Sequence, residues 1–341
     1  MIRTAIFGAS GHGGGELIRL IDAHPEMKAV YLGAHRKAGS SLREVHPHLG
    51  GGERRLQPNN PAQLPDVDVA FFALPHGSSA DPAMKMRAAG SCVVDLGSDF
   101  RLDSPERYEA AYGSPHPHPE QLGEWVYGLP ELFADRLAGA DRIAVPGCYP
   151  TSAVLGISPL HRAGLVTGTI IVDSLSGVSG AGRAVKEHLM FGAVDEGATA
   201  YGVLTHRHRP EIEQVLGQVG SYEPTVIFTP HLIPMQRGIL TTCYIPLVNS
   251  MDGAAVAEVY ADAYADKPFV EVTTVSPNTR WVTNSNRVLV QPHFDPRTNT
   301  AVVLVAIDNL TKGTAGAAVQ SANIACGLDE TLGLPMAGWM P

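Results

Sequence analysis

The sequence predicts an α/β protein in which a doubly wound parallel sheet is followed by a second domain built on a mixed sheet. Apolar strand-like runs alternate with helical stretches through the first part of the chain, and from about residue 165 strand-like runs separated by loops take over. The run at residues 67–74 is apolar almost throughout. This is expected of a parallel strand that helices cover on both faces.

The chain has 341 residues, enough for about two domains that each bury a core. The predicted strands of the first domain are residues 4–7, 28–32, 67–74 and 91–96, and helical spacing marks residues 16–21 and 80–89. In the second domain the predicted strands are residues 169–173, 225–228, 238–247, 270–275, 287–290 and 301–307. Helices are predicted at 152–160 and 315–325, and the second of these would return to pack on the first domain.

Composition and charge exclude several classes of protein. Lysine and arginine number 25 against 34 aspartates and glutamates, so a net charge of −9 repels a phosphate polymer. The four cysteines are scattered without a C-x-x-C pair, and no apolar run approaches the roughly 20 residues that span a bilayer. We therefore expect a cytoplasmic protein that binds neither nucleic acid nor membrane.

A glycine-rich turn joins the first predicted strand to the first predicted helix. Gly8, Gly11 and Gly14 recur every three residues there, where backbone amides and a helix N-terminus can hold a pyrophosphate. Glycines also occur in such turns simply because a tight connection needs a positive φ. The following strand leads into His35-Arg36-Lys37 rather than an acidic residue, and this favours the 2′-phosphate of NADP over the ribose of NAD.

Cys148 lies between a Pro-Gly turn and a predicted helix. The positive end of a helix stabilises a thiolate, which is the form that acts as a nucleophile. The other three cysteines lie in apolar strands or near a helix and are interpreted as small buried hydrophobes.

A nucleophilic cysteine needs a proton carrier, and the segment His206-Arg207-His208-Arg209 offers two histidines beside two arginines. The two histidines would share one face if the segment were extended. A His-x-His pair can also bind zinc, but no third ligand or H-E-x-x-H helix accompanies this one, so no metal is predicted.

A second glycine-rich loop, residues 176–183, ends in Arg183. Ser179 and Gly180 would bring backbone donors close to a nicotinamide, and Arg183 would reach a carboxylate or phosphate. A simple bend after a strand is the competing interpretation. Arg101 follows the fourth strand at its carboxyl end and is a weaker candidate for binding a substrate anion.

Taken together, a set of segments resembles the N-acetyl-γ-glutamyl-phosphate reductase family. They are residues 8–14, 73–77, 95–101, 127–132, 146–151, 176–183, 206–208, 229–235 and 308–313. The resemblance implies a Rossmann-like NADP-binding domain at 1–147, completed by a C-terminal helix at 313–341. It also implies a catalytic and oligomerisation α+β domain at 148–312, of the type found in the C-terminal half of glyceraldehyde-3-phosphate dehydrogenase, and a homo-oligomer, either a tetramer or a dimer.

The same resemblance assigns roles to single residues. Cys148 is the nucleophile that forms a thioester with a small acyl phosphate, and His206 is the acid/base, which would keep the thiolate through an ion pair. The implied NADP(H) contacts are Ser10, Gly11, His12, Gly13, His35, Arg36, Lys37 and Asn309. Arg183, Arg207 and Arg209 are candidates for the substrate phosphate and α-carboxylate, and the sequence does not rank them.

Two departures from the family pattern concern the adenosine pocket: His12-Gly13 stands where the family usually has Tyr-Thr, and His35-Arg36 where it usually has Ser-Arg. A sister family reduces a carrier-linked aminoadipyl phosphate in lysine biosynthesis, but its cysteine segment usually reads Gly-Cys-Asn-Ala, whereas here it reads Gly147-Cys148-Tyr149-Pro150. Aspartate-semialdehyde dehydrogenases fit less of the chain. A zinc hydrolase or a catalytically inactive NADP sensor would also be compatible with parts of the sequence, and the intact pair Cys148 and His206 argues against the sensor.

Overall fold

The computed structural model describes residues 1–50, 52–61, 64 and 66–340, which divide into two compact units. Unit 1 comprises Met1–Pro146 and Thr314–Leu334. Unit 2 comprises Gly147–Gly313 and the chain from Pro335 onward. The prediction placed residues 313–341 together, but the chain divides after Leu334, because the last segment hydrogen-bonds within unit 2 through Asn286 N to Pro335 O and Trp339 N to Thr283 O.

Unit 1 is built, within its described residues, on a seven-stranded sheet in which every neighbouring pair is parallel. Its strands are β1 (Ile2–Phe7), β2 (Met27–Ala34), β3 (Gln57–Pro58), β4 (Val69–Phe72), β5 (Cys92–Asp95), β6 (Val126–Tyr127) and β7 (Arg142–Ala144). Their order is β3-β2-β1-β4-β5-β7-β6. The order reverses between β1 and β4, and such a switch point is where doubly wound sheets bind ligands. The predicted doubly wound sheet is confirmed.

The described part of unit 1 contains six α-helices. They are α1 (His12–Asp22), α2 (Leu42–Val45), α3 (Ala80–Ala88), α4 (Pro105–Tyr112), α5 (Pro130–Leu137) and α10 (Gly316–Ala325). The last of these packs against α1 and α5, where its buried Asn323 contacts His24 and its buried Gln320 donates to Glu131. A helix from the far end of the sequence therefore completes unit 1.

Unit 2 is built on a seven-stranded mixed sheet. Its strands are β8 (Ile170–Ser176), β9 (Thr199–Ala200), β10 (Val226–Leu232), β11 (Ile239–Pro246), β12 (Val270–Val272), β13 (Val288–Asp295) and β14 (Thr300–Ile307), in the order β12-β13-β14-β11-β8-β10-β9. Its helices are α6 (Cys148–Arg162), α7 (Phe191–Val194), α8 (His208–Val219) and α9 (Gly253–Tyr264). Three of them, α6, α8 and α9, pack on the sheet.

Helix α6 is the central element of unit 2, with every residue from Tyr149 to His161 buried. Gly156 allows the close approach of α6 to the sheet, since an added Cβ there would lie 3.0 Å from Cys243 Sγ on β11. Buried hydroxyls are satisfied across the same contact: Ser152 Oγ lies 2.7 Å from Thr241 Oγ1. The sequence predicted this helix only from residue 152, so its true start at Cys148 is a finding of the structure.

The sheet of unit 2 leaves an apolar row partly uncovered. Ile227, Ile171, Tyr244 and Val302 are direct cross-strand partners on β10, β8, β11 and β14. Ile227, Ile171 and Tyr244 are 40%, 41% and 39% exposed, while their neighbours along each strand are buried toward the helices. A β-sheet with apolar side chains on both faces is suited to a further packing partner.

A buried carboxyl lies at the carboxyl end of β5. Asp95 is fully buried, and its Oδ1 accepts a hydrogen bond of 2.9 Å from Gly97 N. The neighbouring Asp99 accepts from the amides of Gly77, Ser79 and Ala80, which stabilise its negative charge. Burial, with a further contribution from Asp99, raises the pKa of Asp95 to about 7.

This raised pKa predicts a pH-dependent stability. Folded protein binds the Asp95 proton more tightly than unfolded chain, so the contribution of Asp95 to stability is lost as pH rises from about 4 to about 7, by roughly 4 kcal/mol at most. We expect Asp95→Asn to gain stability relative to the unmodified protein between about pH 5 and about pH 8 in thermal unfolding. Exposed Asp135→Asn on α5 is the control. A relative loss for Asp95→Asn over that range would contradict the assignment.

Candidate active site

The glycine turn between β1 and α1 has two glycines that backbone packing requires. Gly8 has φ of +80°, and an added Cβ there would clash with Ala73 O. A Cβ on Gly14 would clash with Gly8 O. By contrast, a Cβ on Gly11 would come no closer than 3.5 Å to Gly8 O, and one on Gly13 would make only ordinary contacts.

Packing therefore explains Gly8 and Gly14 but not Gly11 and Gly13. Gly11 is the N-cap residue of α1 and provides no side-chain cap, and no acidic residue occupies the first turn. The start of α1 therefore has neither a side-chain cap nor an acidic residue, and it lies beside the switch point of a parallel sheet. Such a helix start fits the pyrophosphate of a dinucleotide. Buried His46 supports the turn, because its Nε2 donates to Ala9 O over 2.8 Å.

The three residues predicted to hold a 2′-phosphate follow β2, the strand next to β1. His35, Arg36 and Lys37 are all exposed directly after Ala34, at the same edge of the sheet as the glycine turn. Ser10 and His12 lie in the turn and the first residue of α1. The residues present in unit 1 thus fit a phosphorylated dinucleotide.

The second glycine-rich loop is fastened to the loop between β10 and β11 in unit 2. Val178 N donates to Met235 O, and Asn309 bridges the two loops by donating from Nδ2 to Ser179 Oγ and accepting from Gly238 N. Asn309 is itself held next to the buried Asp308, which forms a two-point ion pair with Arg237 at 2.9 Å for each contact. Asn309, predicted to contact the cofactor, therefore also positions Ser179.

Cys148 is the first residue of α6 and is half-buried. Three neighbours fix its position: Gly147 N donates to the buried Glu211 Oε1 over 2.8 Å, the ring of His208 packs against Gly147, and Gly313 packs against Cys148 Cβ. An added Cβ on Gly147 would lie 2.5 Å from His208 Nε2, so this position needs glycine. The thiol thus lies at the positive end of a buried helix, where a thiolate is stabilised.

The segment holding His206 and His208 is not extended. The chain turns at His206, and His208 begins α8, yet the two ring centroids are only 4.7 Å apart. Tyr149, Tyr201 and Phe228 also surround the His206 ring, with centroids 5.3 to 5.7 Å away. Burial, aided by the Arg207 guanidinium, lowers the pKa of His206 to about 4.

A hydrogen bond to the His206 ring also shows which ring nitrogen carries the hydrogen. The amide of His208 donates to His206 Nδ1 over 3.2 Å, and an amide nitrogen can only donate. The neutral imidazole therefore carries its hydrogen on Nε2. The sequence-based expectation of an imidazolium–thiolate ion pair differs from this arrangement, which favours a neutral His206 near neutral pH.

Two tyrosine hydroxyls complete this cluster. Tyr149 and Tyr201 lie with their hydroxyl oxygens 2.8 Å apart. Burial raises the pKa of both phenols, to about 12 for Tyr201, so both keep their protons. One hydroxyl donates to the other, and the second proton remains available to a further acceptor.

These residues line a cavity of about 410 Å³ within unit 2. Its lining combines the cysteine and histidine cluster with two cations, Lys186 and Arg207, and with apolar side chains of the segment before β9. The lining residues are Cys148, Tyr149, Ser176, Gly180, Ala181, Lys186, His188, Leu189, Ala193, Val194, Gly197, Thr199, Tyr201, His206, Arg207, His208 and Leu232. Among the described residues, no aspartate or glutamate lines this cavity.

The structure separates the four candidate arginines. Arg207 lines the cavity. Arg209 lies in the first turn of α8 and is half-buried; it donates to Leu204 O and pairs with Glu213. Arg183 is exposed, outside the lining residues, and Arg101 belongs to unit 1, where it donates to the carbonyls of Val145 and Leu96.

Sequence reasoning missed three residues of this arrangement. Lys186 lines the cavity, but a lysine three residues after Arg183 gave no signal of its own. Glu211 holds Gly147 and could have been suspected only from its place one turn into α8. Tyr201 lies in a loop, where periodicity carries no information.

Two absences concern metals and membranes. Within the described part of the chain, no group of three or more His, Cys, Asp and Glu side chains is arranged to hold a metal ion. Over the same residues, no helix has the length and apolarity needed to span a bilayer.

Family models divide the chain close to the boundary between unit 1 and unit 2. Residues 3–140 match the family model described as semialdehyde dehydrogenase, NAD binding domain, and residues 148–309 match the one described as semialdehyde dehydrogenase, dimerisation domain. Curated relatives named N-acetyl-gamma-glutamyl-phosphate reductase match over the full length. The protein from Paenarthrobacter aurescens is 46% identical over 100% of this chain and 99% of its own.

The chain belongs to the N-acetyl-gamma-glutamyl-phosphate reductase family. Further members are the proteins of Rhodopirellula baltica, 44% identical over 98% of this chain and 99% of the relative, and Moorella thermoacetica, 42% identical over 100% of both. The resemblance that the sequence motifs carried to this reductase family is thereby confirmed.

Solved structures show the same fold as this member of the reductase family. Aspartate semialdehyde dehydrogenase II of Vibrio cholerae has a TM-score of 0.73 at 19% identity, covering 96% of this chain and 98% of that one. The aspartate semialdehyde dehydrogenase of Candida albicans, solved with NADP, has a TM-score of 0.69 at 16% identity over 95% and 98%. The predicted combination of a Rossmann-like domain with an α+β domain is confirmed.

Proposed function

We propose that this protein reduces N-acetyl-γ-glutamyl phosphate to N-acetylglutamate 5-semialdehyde with release of phosphate, in cytoplasmic arginine biosynthesis. The observation that carries the proposal is Cys148 at the start of a buried helix, in a cavity with His206 and two cations and, among the described residues, no acidic side chain. The family membership supports the substrate, because the relatives are named for it.

Cys148 is the nucleophile of this reaction. Its thiolate attacks the acyl carbon, the carbon–oxygen bond to phosphate breaks, and a thioester remains on the cysteine. The N-terminus of α6 stabilises the thiolate, since the first turn contains no acidic residue. NADPH, when bound, supplies the hydride that reduces the thioester.

His206 acts in its neutral form, as a hydrogen-bond donor. Its Nε2–H donates a hydrogen bond to the oxygen that becomes negative when hydride adds to the thioester, and so stabilises the tetrahedral oxyanion on Cys148. The oxyanion then re-forms its carbon–oxygen double bond as the carbon–sulfur bond breaks, so the aldehyde leaves and the Cys148 thiolate is restored without a proton transfer. The Tyr149–Tyr201 hydroxyl pair keeps both its protons and adds a second donor to the same cavity.

Arg207 and Lys186 bind the anionic groups of the substrate. An acyl phosphate with an α-carboxylate carries several negative charges, and these two cations line the cavity while Arg209 and Arg183 do not. An arginine is suited to either group because its guanidinium pairs with two oxygens at once.

NADP(H) is held in this proposal by residues 8–14 of the glycine turn, by His35, Arg36 and Lys37 at the 2′-phosphate, and by the loop containing Ser179, Gly180 and Asn309. The turn fits because Gly11 and Gly13 are not required by packing and leave the start of α1 without a side-chain cap. The three residues after β2 place two obligate cations where an NAD site prefers an acidic side chain.

The protein works as a homo-oligomer, a dimer or a tetramer, in which a second copy covers the apolar row Ile227, Ile171, Tyr244 and Val302. This row crosses four strands and lies within residues 148–309, the segment that matches a dimerisation domain. Sheets that are apolar on their outer face bury that face in assembly.

Replacing the nucleophile tests the reaction. We expect Cys148→Ser to lose turnover in the reverse direction, assayed by the absorbance of reduced nicotinamide with N-acetylglutamate semialdehyde, phosphate and NADP. Cys326→Ser is the matched control and should keep its activity. An inactive unmodified protein would refute the proposed reaction, whereas an active Cys148→Ser would refute only the nucleophile.

Replacing cavity and surface arginines tests the anion site. Arg207→Ala should raise the KM for the semialdehyde or acyl phosphate about 10-fold or more, because a charge-assisted hydrogen bond is lost. Arg209→Ala, two residues away and outside the cavity lining, should change KM by less than about twofold. Equal effects of the two changes on KM, measured by steady-state kinetics, would show that Arg207 does not bind the substrate.

A charge on the apolar row tests the assembly. Tyr244→Glu should lower the molecular mass measured by sedimentation, because a carboxylate would be buried without a partner. Tyr244→Phe keeps the apolar surface and should keep the assembly. If Tyr244→Glu sediments like the unmodified protein, the row does not form the interface.

A further inference from the structure

Part of the cavity wall is formed by a short segment around α7, residues 185–196, which also contributes Lys186 and His188. Within it, Leu189 and Val194 are half-buried and line the cavity. Val185 and Phe191 of the same segment are 87% and 81% exposed and do not line it. The segment therefore has two faces, and only its inner face contributes apolar side chains to the site.

The acidic residues of this segment all lie on its outer side. Glu187, Asp195 and Glu196 are exposed, and none of them lines the cavity. Glu196 has a φ of +58°, which is uncommon for a residue with a side chain.

We propose that Leu189 and Val194 form the subsite for the N-acyl group of the substrate and so select substrates whose α-nitrogen is acylated. The inference rests on the proposed function, which places the acyl carbon at Cys148 and the anionic groups at Arg207 and Lys186. The acyl methyl is then the one apolar end of the substrate, and Leu189 and Val194 are half-buried, branched apolar side chains in the cavity lining.

Charge explains why a free α-ammonium would be rejected at the same place. An ammonium group leaving water needs an acceptor or a counter-ion. The cavity offers it two cations and three histidines and, among the described residues, no carboxylate. An acylated nitrogen is uncharged, so it avoids both the unpaired charge and the repulsion by Lys186 and Arg207.

The experiment measures kcat/KM in the reverse reaction for a series of glutamate semialdehydes carrying N-acetyl, N-propionyl or N-butyryl groups. Val194→Ala enlarges the subsite and should raise the ratio of kcat/KM for the butyryl compound to that for the acetyl compound about 10-fold or more. An effect of this size is typical of a methylene difference in an apolar pocket. Val185→Ala makes the same chemical change on the outer face and should leave the ratio within about twofold of the unmodified protein.

The outcomes separate the two proposals. An unmodified protein that is inactive on the N-acetyl compound overturns the proposed function. An active protein whose ratio is the same in Val194→Ala and Val185→Ala overturns the acyl subsite. If Val194→Ala fails to fold, as judged by its unfolding temperature, Leu189→Ala takes its place, and an unchanged ratio in that variant overturns the subsite equally.

Discussion

The hydrogen bond from Gly147 N to the buried carboxylate of Glu211 fixes the start of α6 against the start of α8, and the site in unit 2 depends on it. The approach is close, because the ring of His208 lies where a Cβ on residue 147 would be. Two segments about sixty residues apart in sequence thereby bring Cys148 and His206 to one cavity. Without this contact Cys148 would still lie at the start of α6, but the hydrogen-bond donor His206 would not be held beside it.

The same constraint explains why burial and reactivity coexist in α6. Its residues from Tyr149 to His161 are buried, so the helix cannot shift without opening the core of unit 2. A rigid helix keeps its positive end pointed at Cys148, and preorganised dipoles of this kind cost no reorganisation during a reaction. The segment around α7 contrasts with this helix, because its side chains are mostly exposed.

The sequence predicted the fold class and the cysteine because those signals are local. Strand and helix periodicity, the glycine turn and the Pro-Gly step before Cys148 are each readable within about ten residues. It could not separate Arg207 from Arg209, because the direction of each side chain depends on where α8 begins. Nor could it find Lys186 or the apolar wall of Leu189 and Val194, which belong to a segment with short elements and no long apolar period.

His206 shows most clearly what tertiary structure adds to a motif. From sequence, a histidine near a cysteine implies an imidazolium and a thiolate that stabilise each other. In the structure, burial and Arg207 disfavour the imidazolium, and the amide of His208 occupies Nδ1, leaving a neutral donor at Nε2. Since that amide lies at the first residue of α8, the contact between Glu211 and Gly147 positions the thiolate and the hydrogen-bond donor together. The helix end then supplies the positive potential that a charged histidine would otherwise provide, and the Nε2–H remains available to donate a hydrogen bond to the oxygen of the reduced thioester.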